Sequence, residues 1–239
     1  MSKKNVTAVI LAGGLGTRLQ SVLSNKPKVL ATVKGRPFLS YILDQLYDAD
    51  FKRVVLCTGY KADHIQKAFG DVYKSLVLVY SQEVVPLDTG GALRLAYPLL
   101  ESERVLVMNG DSYCQVDLEA FEKWHCERKV SVSMVLTQVP DVSRFGRIRI
   151  STEKRVLTFE EKTQKAVPGL INVGIYMFSR LCLLEIPEKE KISLEKTMFP
   201  KWVSMGIFGF ETRGKFIDIG TPESFASAEE FFGNCAFEL

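Results

Sequence analysis

Cysteine and histidine are scarce in this chain, and their positions exclude several kinds of site. Its 239 residues include five cysteines and two histidines, and no two cysteines form a Cys-x-x-Cys pair. An odd number of widely spaced cysteines favours neither a disulfide framework nor a structural zinc site. We therefore expect reduced thiols, as in a cytoplasmic protein. His64 and His125 both fall in predicted helices, away from every motif described below.

The sequence also lacks a long apolar segment and a marked excess of one charge. The apolar run before the first glycines is too short to span a membrane, and no signal-peptide cleavage site follows it. The formal net charge of +3 is spread along the chain, whereas a protein that neutralises many phosphates carries a basic stripe. We expect no membrane and no nucleic-acid partner, and small anionic molecules stay open as ligands.

Apolar segments of strand length alternate with amphipathic segments of helical length. The strands are apolar nearly throughout, which is typical of strands covered on both faces. This pattern predicts an α/β fold in one domain, with a Rossmann-like, mostly parallel mixed sheet and helices on both faces. The predicted strands are Val6–Ala12, Arg53–Thr58, Leu76–Tyr80, Arg104–Met108, Val130–Thr137, Arg147–Ile150, Arg155–Glu160, Ile171–Phe178, Gly206–Phe210 and Lys215–Ile219. The predicted helices are Pro37–Ala49, Lys61–Phe69, Gly90–Leu100, Leu118–Arg128, Ser193–Trp202 and Pro222–Phe232.

A glycine-rich segment follows the first strand. Residues 11–28 read LAGGLGTRLQSVLSNKPK, with three glycines close together. The segment does not fit the Rossmann fingerprint G-x-G-x-x-G, because Leu19 stands at the position of the third glycine. The acid that a dinucleotide site needs is also missing, since Asp44 lies inside a predicted helix rather than after a second strand. A dinucleotide turn is therefore disfavoured.

A Walker P-loop fits the same segment no better, because Thr17 and Arg18 follow Gly16 where that motif has Lys and then Ser or Thr. What remains is a loop whose backbone N–H groups can approach phosphate oxygens, with the cations Arg18 and Lys28 beyond it. The planar guanidinium of Arg18 matches the geometry of phosphate. From spacing alone, a tight glycine turn with two solvated cations stays open as an explanation.

Two aspartates stand at the ends of predicted strands. Asp111 follows a buried strand as part of Asn-Gly-Asp, and Asp218 precedes a Gly-Thr-Pro turn. The carboxyl ends of strands in an open α/β sheet border the crevice that binds ligands. Two carboxylates from distant strands suit one Mg²⁺ ion, which prefers oxygen ligands. Asn-Gly-Asp is also a common turn sequence, so a purely local role for Asp111 stays open.

Five motifs, in order along residues 6–228, resemble those of the sugar-1-phosphate nucleotidyltransferases. They are LAGGLGTRL with KPK, then SQEVVPLDTGGAL, then VLVMNGDSY, then the group RFGRI, FEEK and INVGIYMF, and last FIDIGTPESF. Gln20 and Val22 stand where most of the family has Pro and Thr, and here the chain resembles the branch that guanylylates D-glycero-D-manno-heptose 1-phosphate. Asp88 departs from the glycine that is usual in the second motif.

The resemblance implies the nucleotide-diphospho-sugar transferase fold, with the nucleotide bound by about residues 1–115 and the sugar by about residues 116–239. The nucleotide-binding residues that it implies are Leu11, Ala12, Gly13, Gly14, Gly16, Thr17, Arg18, Lys28, Glu83, Thr89, Gly90, Gly91 and Asn109. The sugar-phosphate-binding residues that it implies are Gly110, Gly146, Glu161, Lys162, Asn172 and Gly174. It implies catalytic roles for Arg18, Lys28 and Asp111, and it makes Asp111 and Asp218 the ligands of Mg²⁺.

The predicted reaction joins an NTP and a sugar 1-phosphate into an NDP-sugar and pyrophosphate. The pair expected from the branch is GTP and D-glycero-α-D-manno-heptose 1-phosphate, giving GDP-heptose for a surface polysaccharide such as a capsule. The same reaction on mannose, glucose or an amino sugar 1-phosphate, with GTP, UTP, dTTP or CTP, stays as the alternative. Mg²⁺ is the expected cofactor and a homodimer the expected assembly. An NAD-dependent oxidoreductase is disfavoured by the glycine pattern, and a non-catalytic regulator has no need of both cations and both aspartates.

Overall fold

The described strands form one large mixed sheet and two sheets of two strands each. The computed structural model describes residues 6–14, 16–19, 23, 26–160, 162 and 166–233. The strands are β1 Val6–Leu11, β2 Thr32–Val33, β3 Arg36–Pro37, β4 Arg53–Thr58, β5 Val72–Tyr73, β6 Leu76–Gln82, β7 Arg104–Asn109, β8 Ser112–Cys114, β9 Val132–Val139, β10 Arg147–Ile150, β11 Val156–Glu160, β12 Gly169–Ser179, β13 Ile207–Thr212 and β14 Phe216–Asp218. The α-helices are Phe38–Asp48, Ala62–Phe69, Asp88–Ala96, Leu118–Arg128, Phe199–Trp202 and Pro222–Gly233. Short 3₁₀ turns cover Thr17–Leu19, Lys28–Leu30, Tyr97–Leu99 and Arg180–Glu185, and a π-helical turn covers Leu194–Met198.

The large sheet has ten strands, and its centre is parallel. The order β7-β1-β4-β6 runs through this centre, with β1 paired in parallel to both β4 and β7. On the other side of β7 lies the antiparallel β12, which also pairs with β9 and β10. The predicted α/β fold is therefore confirmed, with parallel strands from the first half of the chain and mainly antiparallel ones from the second. The carboxyl ends of the four parallel strands lie at one edge, where sheets of this kind bind ligands.

Both faces of the sheet are covered, as the alternation along β1 shows. Ala8 and Ile10 belong to one buried cluster, whereas Val9 belongs to a second cluster. Two cores are required because successive side chains of a strand point to opposite faces. The helix Phe38–Asp48 packs into the first cluster and the helix Phe199–Trp202 into the second. Each fully buried Leu or Phe contributes about 1.5–3 kcal/mol, so the strands that carry the site are held from both sides.

Most predicted elements lie close to the observed ones, and the exceptions have physical reasons. The helix predicted over Gly90–Leu100 ends at Ala96, because Pro98 lacks the N–H that would continue it. The helix predicted over Ser193–Trp202 begins as the π-helical turn described above. The prediction missed β8, whose partner β14 comes from a distant part of the chain.

No helix among the described residues has the length and apolar character that spanning a bilayer requires. Within the same residues, Cys57, Cys114, Cys126 and Cys182 are free.

Candidate active site

Two cavities open at the carboxyl edge of the parallel strands and share three side chains. The first cavity, of about 400 Å³, lies between the glycine loop and the start of the helix Asp88–Ala96. The second cavity, of about 420 Å³, lies between β7, β12 and β14. Lys28, Asn109 and Asp111 line both. Two molecules held in neighbouring cavities would therefore meet at these residues.

The structure brings most of the predicted site residues to these cavities. The first cavity is lined by Leu11, Ala12, Gly13, Gly14, Gly16, Thr17, Lys28, Glu83, Thr89, Asn109 and Asp111. The second cavity is lined by Arg18, Lys28, Asn109, Asp111, Lys162, Asn172, Gly174 and Asp218. Arg18, predicted to bind the nucleotide, thus lies on the side of the second cavity. Glu161 and the two branch-specific residues Gln20 and Val22 lie outside the described residues.

Four of the predicted glycines line neither of the two cavities: Gly90, Gly91, Gly110 and Gly146. The N–H of Gly90 donates to the carbonyl of Ile192 at 2.8 Å, and a Cβ at Gly90 would come within 2.9 Å of that oxygen. Gly146 has a φ of +80°, and a Cβ there would come within 2.7 Å of the carbonyl of Glu160. These glycines therefore permit close backbone contacts next to residues of the cavities and do not themselves line either cavity.

The glycine loop is fixed by side chains that pack directly against it. A Cβ at Gly13 would lie 2.8 Å from Oε1 of Glu83, and one at Gly16 would lie 3.0 Å from the Cβ of Lys28. Gly16 also has a φ of +59°, a conformation that favours glycine. The loop therefore holds Glu83 at one end of the first cavity and Lys28 at the other.

Lys28 and Asp111 form an ion pair where the cavities meet. Nζ of Lys28 donates to Oδ2 of Asp111 at 2.6 Å. The side chain of Lys28 is only 12% exposed, whereas that of Asp111 is 45% exposed and faces both cavities. Lys28 is aimed by the 3₁₀ turn Lys28–Leu30, which begins after Pro27. The result is a fixed cation beside a carboxylate that can still bind a ligand.

Asp218 reaches the same region through the small sheet of β8 and β14. Asp218 pairs with Ser112 across this sheet, and the N–H of Ile219 donates to the carbonyl of Asp111 at 2.9 Å. The carboxylate of Asp218 accepts two bonds from Nη2 of Arg144, at 2.9 and 3.0 Å. Each of the two predicted metal ligands therefore has its own cation, Lys28 for one and Arg144 for the other.

The donor atoms at this point fit Mg²⁺. Two carboxylates supply hard oxygen ligands and leave positions for phosphate oxygens and water, which is how Mg²⁺ commonly binds beside a nucleotide. Gly220 keeps the space beside them open, because a Cβ there would lie 2.6 Å from Oδ1 of Asp218 and 3.7 Å from Nζ of Lys28. Among the described residues, no three His, Cys, Asp or Glu side chains form a metal-binding group. The arrangement thus suits an ion shared with a bound phosphate rather than a closed protein site.

The far end of the first cavity is acidic. Glu83 and Asp88 line it together with Lys191. Oε2 of Glu83 accepts the N–H of Leu87 at 3.0 Å, and Oε1 lies against the glycine loop. Burial raises the pKa of the Glu83 carboxyl, the bond from Leu87 lowers it, and the neighbouring charge of Asp88 raises it further. Because carboxylates repel phosphates, this end suits an uncharged group with hydrogen-bond donors.

A hydrogen-bonded chain of side chains runs between the two cavities. Asn172 donates through Nδ2 to the hydroxyl of Tyr176 at 2.8 Å, and that hydroxyl donates to Oε1 of Glu195 at 3.3 Å. Oε2 of Glu195 accepts the hydroxyl of Thr89 at 2.7 Å. Oδ1 of Asn109 is buried beside this chain, and no donor among the described residues reaches it.

Sequence reasoning missed several side chains that line the cavities, among them Arg144, Tyr176, Lys191 and Glu195. Arg144 and Tyr176 stand inside the motifs RFGRI and INVGIYMF, so a signal for them was present. Lys191 and Glu195 lie outside every motif, and only the folded chain brings them to the site.

Residues 7–234 match the model of the nucleotidyl transferase family. The chain belongs to this family. It is 35% identical, over 93% of its length and 96% of the relative, to the D-glycero-α-D-manno-heptose 1-phosphate guanylyltransferase of Aneurinibacillus thermoaerophilus. It is 34% identical to the mannose-1-phosphate guanylyltransferase of Mycobacterium tuberculosis, over 94% of this chain but 64% of that protein.

A solved structure supports the same assignment. HddC from Yersinia pseudotuberculosis is 34% identical, with a TM-score of 0.84 over 95% of this chain and 99% of that one. That protein has also been solved in complex with GMP-PN. The predicted family, fold and enzyme class are therefore confirmed, and the cavities described above are the candidate site of a nucleotidyltransferase.

Proposed function

We propose that this enzyme transfers GMP from GTP to a sugar 1-phosphate, releasing pyrophosphate. The proposed acceptor is D-glycero-α-D-manno-heptose 1-phosphate, which the name of the A. thermoaerophilus relative specifies. The observation that carries the proposal is the meeting of two cavities at Lys28 and Asp111. A reaction in which the phosphate of one substrate attacks that of another needs such a shared border. We place the reaction in the cytoplasm, where GTP is supplied.

The chemistry requires positioning and charge neutralisation more than proton transfer. A sugar 1-phosphate is already an anion at neutral pH, so it attacks without a general base. The N–H groups of the glycine loop would hold the phosphates of GTP, with the α-phosphorus near Lys28. Lys162 would hold the sugar phosphate in the second cavity, in line with the leaving pyrophosphate. Lys28 would stabilise the charge that develops. Arg18, expected from the resemblance to act on the nucleotide, lines only the second of the two cavities and would hold the attacking phosphate there beside Lys162.

Asp111 and Asp218 would hold Mg²⁺, which supplies charge neutralisation at the reacting phosphates. Their own cations keep them in place, since Lys28 holds the first carboxylate and Arg144 the second. Both cations also line the second cavity, so each can contact a phosphate oxygen without leaving the site.

The acidic end of the first cavity would receive the base. Guanine presents two neighbouring donors, N1–H and the 2-amino group, and Glu83 and Asp88 supply carboxylate oxygens. Lys191 at the same end can donate to the O6 oxygen of guanine. The repulsion between these carboxylates and a triphosphate fixes the direction in which the nucleotide enters.

A second candidate acceptor is mannose 1-phosphate. The mannose-1-phosphate guanylyltransferase of M. tuberculosis is nearly as similar in sequence as the heptose-specific relative. Both candidates keep GTP as the nucleotide and the same residues at the border of the cavities. The two sugars differ in the substituent outside the ring, which the second cavity must accommodate and which is longer in the heptose.

The test is a pyrophosphate-release assay of four NTPs against heptose, mannose, glucose and amino-sugar 1-phosphates, with Mg²⁺ or with EDTA. We expect release from GTP and the heptose phosphate, dependent on Mg²⁺, and slower turnover of ITP, which lacks the 2-amino group. The variant Asp111→Asn supplies the background rate. Activity with mannose 1-phosphate alone would transfer the assignment to the second candidate. No release from any pair would overturn the proposed function.

A further inference from the structure

The carboxylate of Glu195 lies between groups that belong to different cavities. One oxygen accepts the hydroxyl of Thr89, at 2.7 Å, and that of Ser193, at 3.1 Å. The other oxygen accepts the hydroxyl of Tyr176 at 3.3 Å. Thr89 lines the first cavity, whereas Tyr176 and Glu195 line the second. Glu195 therefore connects the wall of one substrate cavity to that of the other.

On each side of Glu195, the side chain that it contacts makes a further hydrogen bond to its surroundings. The hydroxyl of Thr89 donates to Glu195 and accepts the N–H of Leu194 at 2.8 Å, so it holds the π-helical turn against the helix Asp88–Ala96. On the other side, Tyr176 accepts a bond from Asn172, whose Oδ1 accepts the N–H of Gly174 at 2.9 Å. Both Asn172 and Gly174 are predicted sugar-binding residues.

Burial makes this chain of bonds directional. Tyr176 is fully buried, and burial, with the charge of Glu195 as a second cause, raises its pKa well above the ordinary value. The tyrosine thus stays protonated and donates to the carboxylate. The three hydroxyls that contact Glu195 all donate to it, an arrangement that a carboxylate satisfies and an amide does not.

We propose that Glu195 is a positioning residue that couples the two cavities, so that a nucleotide bound in the first raises the affinity of the second for the sugar 1-phosphate. A nucleotide that orders the start of the helix Asp88–Ala96 orders Thr89. Thr89 holds the carboxylate, and the carboxylate holds Tyr176 and, through it, Asn172. The second ligand then meets a wall that is already ordered and loses less entropy on binding. This inference rests on the proposed function, because it needs two substrates.

The test measures binding without turnover. The affinity for D-glycero-α-D-manno-heptose 1-phosphate is determined by calorimetry with Mg²⁺, in the absence and presence of saturating α,β-methylene-GTP, whose α–β bond cannot be cleaved. We expect the analogue to tighten sugar-phosphate binding in the wild type by a factor of about 5–150, the usual range of coupling between sites. The reverse titration must give the same factor, because coupling is reciprocal.

The decisive variant is Glu195→Gln. We expect the coupling factor to fall towards one, because the amide must point its NH₂ group at one of the hydroxyl donors. If Glu195 only contacts the sugar, the substitution weakens binding equally with and without the nucleotide, the factor is unchanged, and the inference is wrong. Glu190→Gln makes the same chemical change at an exposed position on the preceding loop and should keep the wild-type factor.

A second variant distinguishes a loss of coupling from a folding defect. Tyr176→Phe removes only the hydroxyl between Asn172 and Glu195, and it should lower the coupling factor as Glu195→Gln does. Thermal unfolding of both variants shows whether they are folded. A wild-type factor in either folded variant, or a factor of one in the wild type, overturns the inference while leaving the proposed function intact. Failure of the function itself is separate, since then no substrate pair reacts in the wild-type enzyme.

Discussion

Replacing Lys28 by methionine removes one positive charge from the border of the two cavities and keeps most of the volume of the side chain. A unit charge about 4 Å from a developing negative charge is worth about 4 kcal/mol at an effective dielectric constant of about 20. Loss of this interaction corresponds to a fall in kcat of about 10²–10³-fold, as for other single electrostatic donors. We expect a fall of this size in steady-state pyrophosphate release at saturating substrates.

Stability should change much less than activity in Lys28→Met. The ion pair that is lost includes an aspartate 45% exposed, whose charge water can solvate again. The cost is at most about 1 kcal/mol, or about 2–4 °C in Tm for a chain of this size. Lys26→Met is the matched control, because Lys26 is exposed, lines neither cavity and should be dispensable. A Lys28→Met enzyme with a kcat within a few-fold of the wild type would refute the role assigned to this cation.

Three individual sites, at Asp218, Gly174 and His125, can each be tested by substitution. EDTA should abolish pyrophosphate release, and added Mg²⁺ should restore it. Asp218→Asn should raise the Mg²⁺ concentration needed for half-maximal activity. An unchanged Mg²⁺ requirement in this variant would argue against Asp218 as a ligand. Gly174→Ala should lower the Tm by about 4–8 °C, or about 2 kcal/mol, because Gly174 has a φ of +81° and a Cβ would lie 2.6 Å from Nδ2 of Asn109. Gly35→Ala, at a φ of +74° in open space, should cost less, and equal losses would show that the contact with Asn109 is unimportant. Burial lowers the pKa of His125 from 6.5 to about 4, so the unfolded chain takes up this proton first. The contribution of neutral, buried His125 to the free energy of unfolding should be fully present above about pH 6.5. It should fall by about 3 kcal/mol as the pH is lowered towards 4. Urea unfolding of His125→Asn should lack this component, and identical pH profiles would contradict it.

The first cavity was predicted more completely than the second because its residues are local to parallel strands. The glycine loop follows β1 and Asp111 follows β7, and these strands are neighbours in the sheet. Strand polarity alone therefore brings their carboxyl ends together. Hydrophobic periodicity and turn residues were enough to locate both segments in the sequence.

The second cavity depends on pairings that periodicity does not encode. β12 joins β7, β9 and β10 in antiparallel register, and the partner strands come from separate parts of the chain. The contacts from Arg144 to Asp218 and from Thr89 to Glu195 likewise join distant residues. From the sequence alone, charged side chains in such segments are expected to be solvent-exposed, and only the folded structure shows that they line a cavity. For this reason the hydrogen-bonded chain between the cavities could not be predicted from the sequence.

The pairing of β8 with β14 has a consequence for the order in which the protein becomes active during its synthesis. A growing chain completes the parallel strands, the glycine loop and Asp111 long before Asp218 leaves the ribosome. A domain folds as a unit, and Lys191, which lines the first cavity, also emerges late, so neither cavity is complete before most of the second half of the chain has been made. The second carboxylate at the border of the cavities arrives later still, with β14. The proposed reaction can therefore begin only after the segment carrying β14 has docked.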